Sequence, residues 1–153
     1  MILNKQCRAE HPEPLCVRDS WHNLNGLWEC AIDNEKKLDK NSAFPLKINV
    51  PFAPESSLSG LNITDFIERI WYRRNFRISK KNNFRTLLHF GACDYETTVW
   101  INDTEFPHHV GGQTAFTYDI TDALVEGDNV ITVCADDDTR SLKQPSGKQS
   151  MLP

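Results

Sequence analysis

The chain has 153 residues, 39% of them hydrophobic and 25% charged, which suits one globular domain with a core of its own. Its formal net charge of -4 excludes the basic footprint of a nucleic-acid binder. No apolar run approaches the ~20 residues that a membrane-spanning helix needs, so no membrane partner is expected.

Residues 1–19 are polar and carry Pro12 and Pro14, which predicts an extended arm ahead of a single domain over 20–153. The first strand signal covers 26–33, where Trp28, Cys30 and Ile32 alternate with Glu29, Ala31 and Asp33. A charged loop over 34–42 follows. Leu46, Ile48 and Val50 mark a second strand, ended by Pro51 and Pro54. The clearest strand spans 70–78, with Ile70, Tyr72, Phe76 and Ile78 on one face and Arg74 interrupting it. Further strands are predicted over 86–90, 97–101, 115–120 and 130–135, with turns at Asn102-Asp103, Gly111-Gly112 and Gly127-Asp128. No segment holds a helical period over three turns. Short strands separated by turn residues predict an all-β, antiparallel sandwich, and a jelly roll manages the sheet edges best.

Five cysteines, Cys7, Cys16, Cys30, Cys93 and Cys134, form no CxxC pair and have no histidine at ligand spacing. Zinc is therefore not expected, nor any other metal or cofactor. Cys30 and Cys134 fall in apolar strand patterns and read as small buried hydrophobes. An odd number of thiols with no signal-like leader points to a reducing cytoplasm. The sequons at Asn62 and Asn102 would matter only on a secretory route.

Candidate chemistry is sparse. His108 and His109 could act as acid–base groups, but solvated loop histidines are the plainer reading. Asp136, Asp137 and Asp138 stand together on the way out of the last strand. Adjacent carboxylates repel unless a cation or a sugar hydroxyl uses them, and carboxylate oxygens accept hydrogen bonds from vicinal hydroxyls. A merely solvated acidic loop is the competing reading.

Several ordered motifs carry a resemblance. They are Asn23-Leu24-Asn25-Gly26-Leu27-Trp28, Val50-Pro51-Phe52, Trp71-Tyr72-Arg73-Arg74, Phe90-Gly91-Ala92-Cys93-Asp94-Tyr95, Gly111-Gly112, Asp119-Ile120-Thr121 and Gln144-Pro145-Ser146-Gly147-Lys148-Gln149. Together they resemble the amino-terminal sugar-binding domain of glycoside hydrolase family 2, nearest its β-galactosidase-like branch. The resemblance implies a galactose-binding-like jelly roll, without catalytic residues of its own, in a retaining glycosidase whose immunoglobulin-like and barrel domains lie elsewhere. It implies a final strand beyond residue 149 that the chain lacks. It implies Asp137 and Asp138, and less strongly Asn49, as groups lent to the rim of a pocket for a β-glycoside. Ser141 and Ser146 depart from the family's usual Asp and Arg. A homo-oligomer is expected of the full enzyme. A free-standing lectin-like module is the alternative, and a purely structural domain a third.

Overall fold

The computed structural model describes residues 8–80 and 83–138. Nine strands are present among these described residues: β1 (Gly26–Ile32), β2 (Leu46–Val50), β3 (Arg69–Ile78), β4 (Leu87–Phe90), β5 (Glu96–Ile101), β6 (Thr104–Glu105), β7 (His109–Val110), β8 (Phe116–Asp119) and β9 (Gly127–Asp136). The larger sheet runs β2-β1-β3-β9-β5-β6, with β7 also on β5, while β4 and β8 form a second, two-stranded sheet. Every pairing is antiparallel. This is the all-β sandwich that the strand pattern predicted.

Alternation along the strands builds the core. Trp28 and Cys30 of β1, Ile48 of β2, Ile70 of β3, Val99 and Ile101 of β5, and Ile131, Val133 and Ala135 of β9 point to one side. Leu88 of β4, with Phe90 and Tyr118 behind it, closes over them from the second sheet. Burying a side chain of this size stabilises by roughly 1.5–3 kcal/mol.

The large sheet also buries part of its other face. Ala31, Trp71 and Cys134 are covered by Phe44 and Leu38 from the loop after β1. That loop is organised by Asp33. The Asp33 carboxylate accepts from the backbone N–H of Lys37 (2.8 Å) and Leu38 (3.1 Å) and from the Trp71 indole N–H (3.1 Å). The strand predicted to run through residue 33 therefore stops at Ile32. Arg74, which interrupts the apolar face of β3, turns its guanidinium onto the carbonyls of Leu24 (2.8 Å) and Asn25 (2.9 Å). Gly26 makes room for it: its φ is +121° and a β-carbon there would lie 3.3 Å from Arg74 Nη1.

Three local expectations change. Gly127-Asp128 is not a turn but the start of β9, paired with Arg77 and Ile78. His109 is not a solvated loop residue: it sits in β7, its ring stacks on Phe116 at 3.9 Å, and Nε2 lies 3.1 Å from the Gly111 carbonyl. The described part of the arm is not simply extended. It makes a 3-10 turn at Pro14–Cys16, and the Arg8 carbonyl accepts from the side-chain amides of Asn23 (2.9 Å) and Asn25 (3.1 Å). Cys30 and Cys134 are buried thiols, and Cys16 and Cys93 are free as well; Cys7 lies outside the described residues.

Candidate functional site

β9 is the spine of the large sheet, and its carboxyl end carries the acidic run. Asp136 is the last ladder residue, opposite Arg69 on β3 and Glu96 on β5. Its carboxylate is consumed by structure. Oδ2 accepts from Arg69 Nε (2.7 Å) and Nη2, and Oδ1 from Lys36 Nζ (3.1 Å). Strand alternation places Asp136 on the outer face and turns Asp137 towards the sandwich interior. The Asp137 backbone N–H continues the ladder for one more step, donating to the Glu68 carbonyl at 2.7 Å.

Asp137 is half-buried and Asp138 exposed. Burial pushes the Asp137 carboxyl above the ordinary carboxylate range, and the charges of Asp94, Asp138, Asp136 and Glu55 push it further the same way. The acids whose charges act on Asp137 thus come from three places: the end of β9 itself, the segment after β4 and the segment after β2.

Backbone bonds hold this end together. Tyr95 N–H donates to the Asp136 carbonyl at 3.4 Å, and Gly111 N–H donates to the Tyr95 carbonyl at 2.9 Å. The peptide bond between Asp94 and Tyr95 is cis. Gly112 lies against the Asp94 carboxylate: a β-carbon on it would fall 2.5 Å from Asp94 Cγ and 3.0 Å from Oδ2.

Of the three residues expected at the rim, the structure brings together two. Asn49 is elsewhere. It pairs with Leu27, which by the β1–β3 register lies level with Asn75, and Asn75 pairs with Val130. Asp136 is six residues further along β9, about 20 Å at the usual strand rise. Asn49 also shares the outer face with its partner Leu27, opposite to the side Asp137 takes. Asp94 and Glu55, on the other hand, act on Asp137 through their charges without having been singled out from the sequence. Asp94 stands inside the Phe90-Gly91-Ala92-Cys93-Asp94-Tyr95 motif, and Glu55 follows the Val50-Pro51-Phe52 motif by three residues.

His108 lies 3.8 Å from Glu96, both about half exposed, and neither histidine is placed against the acid cluster by a hydrogen bond. Among the described residues, no three His, Cys, Asp or Glu side chains are arranged to hold a metal ion. A shallow depression of about 280 Å³ is lined by Leu27, Glu29, Lys47, Arg73 and Arg74 among others, away from the acids. Its charged groups are engaged: Glu29 with Lys47 (2.8 Å), Arg73 with the Lys40 and Ser42 carbonyls, Arg74 as above.

A sandwich with an acid-tipped central strand is a fold, not yet a family. The family model described as "Glycosyl hydrolases family 2, sugar binding domain" matches residues 9–142. The chain belongs to this family. Solved structures agree with the assignment. A β-glucuronidase of an uncultured Clostridium superposes with a TM-score of 0.64 at 26% identity, over 74% of this chain and 21% of that one. The Bifidobacterium dentium β-glucuronidase, solved with coumarin-3-O-glucuronide, gives 0.64 at 28% identity over 74% and 19%. A Formosa agariphila protein, by its name a candidate β-glucuronidase, is 28% identical over 135 residues, 85% of this chain and 16% of its own length. The family 2 sugar-binding domain seen here thus spans about a fifth or less of these relatives. No helix among its described residues is long and apolar enough to cross a membrane.

Proposed function

We propose that this family 2 domain serves a retaining β-glycosidase by lending Asp137 and Asp138 to the rim of the substrate pocket, while contributing no catalytic group. The observation that carries the reading is the half-buried, acid-crowded end of β9. A carboxylate there is already partly desolvated, and its oxygens can accept hydrogen bonds from sugar hydroxyls. Asn49 stays outside this proposal because of its place on the sheet. The remaining domains, absent from this stretch of sequence, would hold the catalytic pair.

The glycone is read from the relatives. All those named above are β-glucuronidases or named as one, so a β-glucuronide ranks ahead of the β-galactoside suggested by the sequence motifs. Self-association of the full enzyme and a cytoplasmic location belong to the same proposal. The former is checked by sedimentation and the latter by fractionating cells.

The test uses the longer protein that carries this domain. Asp137→Ala and Asp138→Ala should lower kcat/KM on an aryl β-glucuronide. A charged hydrogen bond of roughly 1.5–3 kcal/mol corresponds to about one to two decades. Unchanged kinetics in both variants would mean that the acidic end is merely solvated. Faster turnover of the β-galactoside would restore the first expectation about the glycone. Tight, saturable sugar binding by the isolated domain would favour the lectin-like alternative.

A further inference from the structure

We propose that Arg69 is a positioning residue: its two-pronged bond to the Asp136 carboxylate closes the terminal rung of the β3–β9 ladder and so fixes the backbone that carries Asp137 and Asp138. The inference deepens the reading above and rests on it only for its consequence, that the acids held there meet a sugar.

The bond sits where the ladder ends. Arg69 opens β3, Asp136 closes β9, and the two are partners across the ladder. Strand ends are where a sheet frays first. Here two guanidinium N–H groups of Arg69, Nε (2.7 Å) and Nη2, donate to the same carboxylate oxygen, Oδ2 of Asp136. The two side chains are only 24% and 17% exposed, so this is not the solvated kind of ion pair that contributes little. Charge-assisted bonds in such a place are the strong ones. Lys36 takes the other oxygen at 3.1 Å, but with 43% of its side chain exposed it is the weaker tether.

The next step along the chain depends on that rung. The Asp137 N–H donates to the Glu68 carbonyl at 2.7 Å, and each of these residues is the chain neighbour of one member of the ion pair. The β3 side of the junction is fastened separately. The Glu68 N–H donates to Asn34 Oδ1 (2.9 Å), Asn34 Nδ2 donates to the Phe66 carbonyl (3.2 Å), and the Arg69 carbonyl accepts from the Asp33 N–H (2.8 Å). The start of β3 is thus bound to residues 33–34, and the Arg69 side chain passes that anchorage across to the end of β9. A planar guanidinium can set two N–H groups on one oxygen, whereas a lysine ammonium is a point charge on a flexible stem. Arg69 therefore acts on Asp137 through Asp136 and the backbone.

The positioning is read by backbone hydrogen exchange in the 153-residue chain, followed by NMR. Arg69→Gln should speed exchange of the Asp137 amide by about one to two decades, the range for a lost charge-assisted bond, beyond any change at Val133 in the middle of β9. Arg69→Lys keeps the charge and should speed it less, and it serves if Arg69→Gln does not fold. An Asp137 amide that changes no more than that of Val133 would overturn the proposal. The consequence is read in the longer protein, on an aryl β-glucuronide. Arg69→Gln should raise KM with little change in kcat per folded molecule, and should add nothing once Asp137 and Asp138 are both alanine. A merely structural arginine would lower the folded fraction and leave KM alone. An unchanged KM in Arg69→Gln, when Asp137→Ala or Asp138→Ala does lower kcat/KM, would also overturn the proposal. Silence of both alanine variants sinks the sugar reading instead, and hydrogen exchange then decides the positioning.

Discussion

Trp71 and Trp100 stack across β9, with ring centroids 5.5 Å apart and planes 23° from parallel, on the side of the sheet facing away from the sandwich core. Trp71 pairs with Cys134 and Trp100 with Thr132, so the two rings clamp the central strand from its neighbours on either side. Phe44 closes the stack at 6.1 Å from Trp71, and the Arg73 guanidinium sits 3.9 Å from the Phe44 ring. Each ring of this kind buries a large apolar area, and the paired geometry adds to it.

Truncating Trp71 should therefore be severe although it lies outside the main core. Trp71→Ala should cost about 3–5 kcal/mol, the usual range for a large buried aromatic. Trp71→Phe should cost less but still measurably, because the Asp33 carboxylate loses the indole N–H. Urea denaturation of both variants checks the order. A Trp71→Ala loss below about 1 kcal/mol would mean the outer cluster is incidental.

Asn129 is 1% exposed and fully engaged. Its Oδ1 accepts from Val125 N–H and Asn102 Nδ2, both at 2.9 Å, and its Nδ2 donates to the carbonyls of Val125 (2.9 Å) and Gly127 (3.0 Å). Asn129→Leu strips four bonds at one stroke and should cost more than about 2 kcal/mol, given ~1–3 kcal/mol for each buried polar group left unsatisfied. Asn102→Ala should cost less, since Asn102 is more exposed. Equal stability of the wild type and Asn129→Leu would show that water replaces the lost bonds.

These two sites show what the sequence carried and what it did not. Period-two alternation exposed β1, β2, β3 and β9 because each buries one face in the main core. The outer cluster was not legible. Its partners, Asp33, Phe44 and Trp71, are separated by up to 38 residues and meet only through the sheet register. The same holds at the candidate site. Asp136–Asp138 stand out as a run, whereas the charges of Asp94 and Glu55 act on Asp137 from segments far away along the chain. Asn49 lies apart from the acidic end of β9 for the complementary reason: a motif gives neighbourhood along the chain, while the ladder assigns end and face.

Asp119 should mark the acid limb of stability. Bonds from Thr121 and Arg85 hold its carboxyl down at about 2. Its folded value lies below the ordinary value near 4, so its contribution is present above about pH 4 and is lost as pH falls towards about 2. The melting-temperature difference between wild type and Asp119→Asn should thus be largest above about pH 5 and shrink below it. A difference independent of pH would assign the effect to geometry rather than charge.

Asp137 should behave with the opposite sign. Its folded carboxyl is raised, so the native state is penalised as pH rises from the ordinary carboxylate range through that raised value. Asp137→Asn should then raise the melting temperature at neutral pH, with the gain fading in acid. That is the pattern of a residue kept for a task at some expense to stability. Destabilisation by Asp137→Asn at neutral pH would count against the acid-crowded site.

The position of β9 bears on how the chain acquires its shape as it is made. β2, β1 and β3 form one half-sheet and β5, β6 and β7 another, and among the described residues no strand pairing joins the halves except through β9. The last strand among the described residues is thus the one in the middle. Until residues 127–136 arrive, the nascent polypeptide holds two ribbons with raw inner borders, β3 and β5, waiting for the same insert. Pairings this distant in sequence slow folding, and unpaired borders invite strangers. A ribosome stalled before residue 127 should present a chaperone client, and one stalled well beyond residue 136 a chain whose two half-sheets are joined through β9.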